Sequence, residues 1–234
     1  MLINKKISNI PFIPIALILF VSIITMGSSP LFQTNPWVDS NAMLTMGRSV
    51  IHGLVPYRDV IDQRGPFLYG LFALGAIFKG SSFLGVFILE VVNLLLVYGI
   101  SFKIVNDINQ ELKFTQWIAL LGPFALLSTS SFSFGGSPEE FAFTSILYLL
   151  YIINHYHQDV TQISLNSFFY LGINLSIIFW NKYSMIGAFG MFFLWTACVL
   201  MYKKQFVKLY RIIIYSLLGF LSVTIIFIVY FWIN

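Results

Sequence analysis

The chain has 234 residues, of which 58% are hydrophobic, 18% aromatic and only 9% charged. Soluble domains average about 25% charged residues, so this chain has too few charges to cover a water-facing surface. The composition, with a mean hydropathy of +0.85, excludes a soluble enzyme, a nucleic-acid-binding module and a disordered chain. It predicts an all-α polytopic membrane protein in which the net charge of +4 lies in loops and sets the topology.

Seven apolar segments come near the length of about 20 residues that a bilayer-crossing helix needs. They are residues 10–27, 83–102, 114–130, 139–154, 165–180, 184–202 and 209–232. The first follows Lys5 and Lys6, so a signal peptide cleaved near Gly27-Ser28-Ser29 is the competing interpretation. Because this segment is longer than a usual signal core, we favour a retained helix.

The distribution of charge orients these seven spans. If the N-terminus is cytoplasmic and the C-terminus outside, eight of the 13 basic residues lie inside: Lys5, Lys6, Lys103, Lys113, Lys203, Lys204, Lys208 and Arg211. Four of the other five lie in one long outer loop, where charge has less effect on orientation. Five of the nine acidic residues fall outside, namely Asp39, Asp59, Asp62, Glu139 and Glu140. Acidic residues gathered on one face predict a site there.

The first outer loop, residues 28–82, is predicted to hold two helices that lie on the membrane surface. Apolar residues at helical spacing over 42–54 predict the first helix, with Asp39 or Ser40 as its N-cap and Gly53 at its end. The second covers residues 67–78 and begins near Pro66. At about twelve residues it is too short to span.

Four charges of alternating sign lie between the two surface helices, in residues 56–66. They are Arg58, Asp59, Asp62 and Arg64. One interpretation is a solvated connector whose charges pair with each other. The Pro and Gly residues of this segment restrict the backbone to defined turns, which favours the other interpretation, a binding site. For Asp39, helix capping and a role in a site are equally open.

The order of a surface helix, Pro-Tyr-Arg-Asp-x-x-Asp-x-Arg-Gly-Pro, a short apolar surface helix and a span resembles the first outer loop of the GT-C membrane glycosyltransferases. These include protein O-mannosyltransferase-like enzymes, aminoarabinose transferases and family 39-like cell-wall glycosyltransferases of bacteria. Several members carry an Asp soon after the first span and Lys-Pro-Pro or Lys-Gly-Pro where this chain has Arg64-Gly65-Pro66, with Arg in place of Lys. The family also carries an acidic residue in its second outer loop, where this chain has Glu139 and Glu140. It often has a Lys-Gly at the outer turn between the fifth and sixth spans, where this chain has Lys182.

The resemblance implies an inverting transferase that moves a sugar from a polyprenyl-phosphate donor to a glycan or lipid acceptor of the cell envelope on the outer face. It implies Asp39 as the catalytic base and the substrate-binding residues Arg58, Asp59, Asp62, Arg64, Glu139, Glu140 and Lys182. In that set, the cations hold the lipid phosphate, and Asp59 and Asp62 orient the arginines or bind sugar hydroxyls. From the residues alone, Glu139 and Glu140 serve equally well to compensate a helix dipole, and Lys182 to snorkel to the interface.

The sequence predicts no cofactor. Some members of the superfamily hold a divalent metal with outer-loop carboxylates, but no spacing here demands one. Residues 1–234 are predicted to form one transmembrane domain with its end after the seventh span, and the resemblance implies that this domain corresponds to the family's membrane core without its C-terminal part. An inactive truncated form is therefore an alternative, as is a transporter, flippase or accessory subunit for lipid-linked saccharides, although no internal repeat typical of transporters is visible. Glu90, within the second span, is either functional or paired with Asn93 or another helix.

Overall fold

The computed structural model describes residues 12–60, 62–129, 132 and 134–234, and these residues form helices and turns without a β-strand. The one element of extended pairing among them is an isolated bridge between Pro56 and Val60. The predicted all-α fold class is confirmed. Lys5, Lys6 and the first two residues of the predicted first span lie outside the described residues.

The helices of the described residues follow one another through the whole chain. They are α1 (Phe12–Thr25), α2 (Val38–Ile51), α3 (Pro66–Lys79), α4 (Leu84–Ile108), α5 (Thr115–Ile118), α6 (Leu121–Leu127), α7 (Pro138–His155), α8 (Leu165–Lys182), α9 (Gly187–Tyr202) and α10 (Phe206–Ile233). A 3₁₀ turn at Val160–Gln162 precedes α8, and another at Tyr183–Met185 follows it.

Several of these helices have the length and composition to cross a membrane. Among the described residues, α4 with 25 residues and α10 with 28 residues are each long and apolar enough by themselves. Helices α8 and α9 pass the same test only as a pair, with a bend of 117° between them. Helices α1 and α3 and the segment Thr115–Leu127 are apolar but shorter. The helices therefore support two or three crossings, and the arrangement of seven spans stays a prediction.

The segment predicted as the third span is not one continuous helix. It is divided into α5 and α6, with turn residues at Ala119 and Leu120 between them. Pro123 provides the physical reason, because it has no N–H to donate to the carbonyl of Ala119 and its ring crowds that carbonyl.

Neighbouring helices pack in a row from the first loop to the end of the chain. Helix α2 packs on α3, α3 on α4, α4 on α7, α7 on α8, and α8 on α10. Helix α1 contacts α4 and α6. Buried Phe72 of α3, Val86 of α4 and Phe141 of α7 belong to one apolar cluster that also includes α2 residues. This cluster anchors the two helices of the first loop to the rest of the bundle.

The two helices of the first loop begin and end near the predicted positions. Helix α3 starts at Pro66, with Gly65 as its N-cap. Gly53, which follows α2, has a φ of +93°, a left-handed conformation that helix ends favour in glycine. The predicted cap of α2 is wrong, however, because Trp37 occupies the N-cap position without a side-chain hydrogen bond and Asp39 lies in the first turn. The carboxylate of Asp39 is thus available for another contact.

Candidate functional site

A cavity of about 720 Å³ lies where four separate segments meet. Its walls come from the start of α2, the turn before α3, the start of α7, and the end of α8 with the turn that follows. Four charged residues line it, namely Asp39, Arg64, Glu139 and Lys182. Aromatic side chains of Trp37, Tyr57, Phe179, Trp180 and Tyr183 form much of the remaining surface. The volume falls in the range of about 300–1,000 Å³ that small-molecule sites occupy.

Arg64 joins the turn before α3 to the first turn of α2. Its guanidinium lies 2.9 Å from Oδ1 of Asp39 and 3.1 Å from Oδ2 of Asp62. Burial works to lower the pKa of Arg64, but the charges of Asp62 and Asp39 outweigh that effect and raise it above its ordinary value. Arg64 is therefore a fixed positive charge at the cavity wall, held between two carboxylates.

A second ion pair joins α7 to α8 at the cavity wall. Lys182, the last residue of α8, donates to Oε1 of Glu139 in the first turn of α7. Each side chain is more than a third exposed, so both remain open to the cavity. The amide of Asn181 donates to the carbonyl of Pro138 at 2.6 Å, which fixes the end of α8 against the start of α7. This contact sets the position of the Lys182–Glu139 pair.

Gly65 allows the turn before α3 to lie directly on the last turn of α8. A Cβ atom at this position would overlap the backbone carbonyl oxygen of Trp180. The backbone of Trp180 cannot move aside without displacing α8, so the close approach requires glycine. The Arg64-Gly65-Pro66 sequence thus combines a cation, a contact point and a helix start in three consecutive residues.

Tyr57 stabilises the backbone of the turn before α3. Its φ of +69° is unusual for a residue other than glycine, and its ring packs 6.1 Å from Tyr69 and 5.8 Å from Phe231 between centroids. The hydroxyl donates to the carbonyl of Arg64. Burial and the nearby charge of Asp62 raise the pKa of Tyr57 to about 12, so the hydroxyl stays protonated and keeps donating at neutral pH.

Two of the predicted site residues pair outside the cavity. Nε of Arg58 lies 2.8 Å from Oδ1 of Asp59, and both side chains are substantially exposed. The hydrogen bonds from Arg58 and from the N–H of Val55 lower the pKa of Asp59 to about 2. Neither residue lines the cavity. Arg58 also donates to the backbone oxygen of Asn234. The structure therefore does not bring these two predicted substrate-binding residues into the cavity.

Glu140 is also absent from the cavity lining, although Glu139 beside it is present. Consecutive residues of an α-helix point about 100° apart, and Glu140 turns inward, where it is 1% exposed. Its Oε2 accepts from the N–H of Gly136 at 3.1 Å. Of the two predicted substrate-binding glutamates, the structure therefore brings only Glu139 to the cavity.

Glu140 belongs to a buried polar cluster at the start of α7. Glu90 of α4 is 0% exposed and accepts a hydrogen bond from Ser28. Gly136, which has a φ of +81°, lies in the turn before α7 and donates its N–H to this cluster at Glu140. Oε1 of each glutamate has no hydrogen-bond partner among the described residues. Glu90 thus pairs with the segment after α1 rather than with Asn93, whose amide donates to the carbonyl of Glu140.

The structure brings together half of the eight predicted site residues as cavity lining, and Asp62 supports them through Arg64. Sequence reasoning missed the contributions of Tyr57 and Asn181. Tyr57 stands inside the charged Pro-Tyr-Arg-Asp motif, which is the one signal that could have drawn attention to it. No signal in the sequence indicates that Asn181 ties α8 to α7.

In comparisons with protein-family models, curated proteins and solved structures, no significant match to this chain was found. The resemblance to GT-C glycosyltransferases therefore stays a prediction, supported by the residues quoted for it.

Within the described part of the chain, no group of three or more His, Cys, Asp or Glu side chains could hold a metal ion. The chemistry that the cavity offers comes from two carboxylate–cation pairs beside aromatic walls. A phosphate can replace a carboxylate as the partner of Arg or Lys. Such an exchange would release the carboxylate to act on another group.

Proposed function

We propose that this chain is an integral membrane glycosyltransferase, which moves a sugar from a polyprenyl-phosphate donor to a glycan or lipid acceptor of the cell envelope on the outer face. The observation that carries the proposal is the meeting of Asp39, Arg64, Glu139 and Lys182 in one cavity. These residues come from four distant parts of a chain with few charges. Separate exposed ion pairs would stabilise the fold by only about 0–1 kcal/mol each, which is a weak reason to gather them.

The proposed membrane arrangement has seven spans, with α2 and α3 lying on the outer surface and the C-terminus outside. In this arrangement α1, α4, the α5–α6 segment, α7, α8, α9 and α10 each cross the membrane. The bend of 117° between α8 and α9 supports two crossings that reverse at the turn after Lys182. The 18 residues of α8 span about 27 Å at 1.5 Å per residue, close to the hydrocarbon thickness of about 30 Å.

The ion pairs suggest how the donor is received. Arg64 and Lys182 exchange Asp39 and Glu139 for the donor phosphate, because a doubly bound phosphate is a stronger partner for these cations than an exposed carboxylate. The aromatic wall formed by Trp37, Trp180 and Tyr183 offers an apolar surface to the sugar ring and the first prenyl units.

The exchange leaves Asp39 free to act as the base in the transfer step. An oxygen or nitrogen of the acceptor forms a bond to the anomeric carbon, and the bond from that carbon to the phosphate oxygen breaks. The electron pair leaves with the phosphate, whose growing charge Arg64 and Lys182 offset. The acceptor proton passes to the carboxylate of Asp39.

Substitutions of the two cavity cations test donor binding. Arg64→Ala and Lys182→Ala are each expected to weaken binding of a polyprenyl-phosphate sugar about tenfold to a hundredfold, since a charge-assisted hydrogen bond contributes about 1.5–3 kcal/mol. Binding is measured by native mass spectrometry of the purified protein with added donor, and transfer by detection of the glycosylated acceptor.

Arg58→Ala is the matched control, because Arg58 has the same charge in the same turn but lies outside the cavity. Equal loss of binding in all three variants would contradict a specific phosphate site. Movement of intact lipid-linked saccharide across vesicles without any glycosylated product would instead favour the alternative of a transporter or flippase. The buried carboxylates of Glu90 and Glu140 are the observation that favours this alternative, because such groups at membrane depth often mark ion pathways.

The surface position of α3 has its own test. Single cysteines at His52 and Ser81, which are exposed residues before and after α3, are introduced with Cys198 changed to Ala. Both are expected to react with a membrane-impermeant thiol reagent applied from outside, because a helix of 14 residues is too short to cross comfortably. Reaction at position 81 only after permeabilisation would show that α3 crosses.

A further inference from the structure

A second cavity, of about 680 Å³, lies at the opposite end of α8. It is formed by the start of α8, the 3₁₀ turn before it, and the start of α10. Lys204, Lys208 and Arg211 line it. The length of α8 separates this basic cavity from the cavity at Lys182 by about 27 Å along the helix axis.

Among the described residues, the cations of the basic cavity have no carboxylate partners of the kind that the other cavity provides. Arg64 and Lys182 are both ion-paired, and even Lys203, next to the basic cavity, pairs with Asp159 at 3.1 Å. Within the described residues, no carboxylate lies within ion-pair distance of the three lining cations. The ammonium group of Lys208 donates to the carbonyl of Thr161. Three positive charges gathered without a counter-ion favour a bound anion.

Lys204 occupies a backbone position that favours glycine. Its φ of +56° is left-handed, and the N–H of Gln205 donates to the carbonyl of Leu200 at 2.8 Å, as at a helix end closed by a left-handed residue. This left-handed conformation is strained for a residue with a Cβ atom. The turn therefore carries a cation at the cavity where glycine would be less strained.

The surroundings of the basic cavity suit a lipid. Phe206, Val207 and Tyr210 at the start of α10 are 61–70% exposed, so an apolar surface adjoins the cations. The N-terminus of α8, where Ser164 caps the helix by accepting from the N–H of Ser167 at 3.1 Å, faces the same cavity and adds partial positive charge. A phospholipid fits this combination, because its phosphate would contact the cations and its acyl chains would contact the exposed apolar side chains.

We propose that the basic cavity binds a phosphate group, either of an anionic membrane lipid or of a soluble phosphorylated molecule. The site is distinct from the cavity proposed for sugar transfer, and its occupancy does not depend on that activity. Lys204, Lys208 and Arg211 provide the charge, the α8 N-terminus adds its amides, and the exposed start of α10 receives the acyl chains if the source is a lipid.

The test compares ligands on the purified full-length protein. Binding is measured by native mass spectrometry and by thermal shift, with phosphatidylglycerol, phosphatidylcholine and inorganic phosphate as separate additions. We expect phosphatidylglycerol to bind more tightly than phosphatidylcholine. Each lost cation should weaken this binding about fivefold, since a Lys or Arg near an anionic surface contributes about that factor.

Lys204→Gly is the decisive variant, because it removes a cation while relieving the left-handed strain, so the fold should be kept or stabilised. Lys204→Gly combined with Arg211→Gln should weaken phosphatidylglycerol binding roughly 25-fold. Lys203→Ala, which removes the neighbouring cation outside the cavity, should leave binding unchanged. If the cavity variants lose binding of phosphatidylglycerol, the ligand is a lipid head group. If they lose binding of inorganic phosphate instead, the ligand is a soluble phosphate. Two results would overturn the proposal. One is equal binding by the wild type and both cavity variants, and the other is a wild type that binds phosphatidylglycerol no more tightly than phosphatidylcholine and does not bind inorganic phosphate.

Discussion

Asp39→Asn is expected to abolish sugar transfer while donor binding is retained or tightened. The substitution removes the proton acceptor, whose contribution to rate is about 10²–10⁴-fold for a general base. It keeps the shape of the side chain and leaves an oxygen that can accept from Arg64. It also removes one of the two carboxylates that compete with a phosphate for Arg64. Transfer is measured as formation of glycosylated acceptor, and donor binding by native mass spectrometry.

Asp59→Asn is the control for this prediction. Asp59 is an aspartate in the segment between α2 and α3, but it pairs with Arg58 outside the cavity, and its substitution should leave transfer nearly unchanged. Full transfer by the Asp39→Asn protein would reject Asp39 as the base. Loss of both donor binding and transfer would show that Asp39 supports the cavity structurally instead.

Gly172→Val is expected to destabilise the protein by about 1–3 kcal/mol, the cost of overpacking a tight contact. Helices α8 and α10 approach each other at two glycines. A Cβ atom at Gly172 would overlap the carbonyl oxygen of Ser216, and one at Gly219 would overlap the carbonyl oxygen of Phe169. Small residues of this kind allow membrane helices to pack backbone against backbone. The helices would have to separate, since neither carbonyl is at the end of a flexible side chain.

Gly190→Val provides the matched control for this prediction. Gly190 lies in α9, and no atom of another helix lies within 4 Å of the added Cβ, so the variant changes helix propensity without a clash between helices. Thermal unfolding in detergent is compared for the two variants and the wild type. A similar fall in Tm for both would contradict the importance of the α8–α10 contact.

The two cavities proposed for ligands lie at opposite ends of α8, the helix that packs on α10. The cavity at Lys182 lies at the C-terminal end of α8 and the basic cavity at its N-terminal end, and α10 contributes to the basic cavity through Arg211. Their charge arrangements differ, because the first contains paired cations and the second contains cations without carboxylate partners among the described residues. The first is suited to exchange one anion for another, and the second to retain an anion.

The sequence predicted most helices well because each is a long apolar segment between polar breaks. The predicted segment 165–180 corresponds to α8 (Leu165–Lys182), and 209–232 lies within α10 (Phe206–Ile233). At 114–130 the structure has two short helices, α5 and α6, and hydropathy alone did not indicate the break between them near Pro123. Propensity and periodicity are local properties, so they identify a helix but not the neighbour on which it packs.

The candidate site could be predicted only in part, for a similar reason. The motif around Arg64 and the residues Glu139 and Lys182 stood out because charges are scarce in this chain. Their pairing partners depend on how distant segments approach. The sequence could not decide that Arg64 would bind Asp39. Nor could it decide that Glu139 would face the cavity and Glu140 the interior, because these adjacent residues of one helix are chemically identical and differ only in the direction of their side chains.

By itself, the sequence determined that this protein is all-helical and apolar enough to enter a membrane, because composition and hydropathy depend on residues rather than on contacts. It also determined which few side chains carry charge. Only the tertiary structure decided that Asp39, Arg64, Glu139 and Lys182 share a cavity, and that Lys204, Lys208 and Arg211 share another. The close approaches at Gly65 and Gly172 bring backbone to backbone. Such contacts join residues far apart in the chain, and no local pattern encodes them.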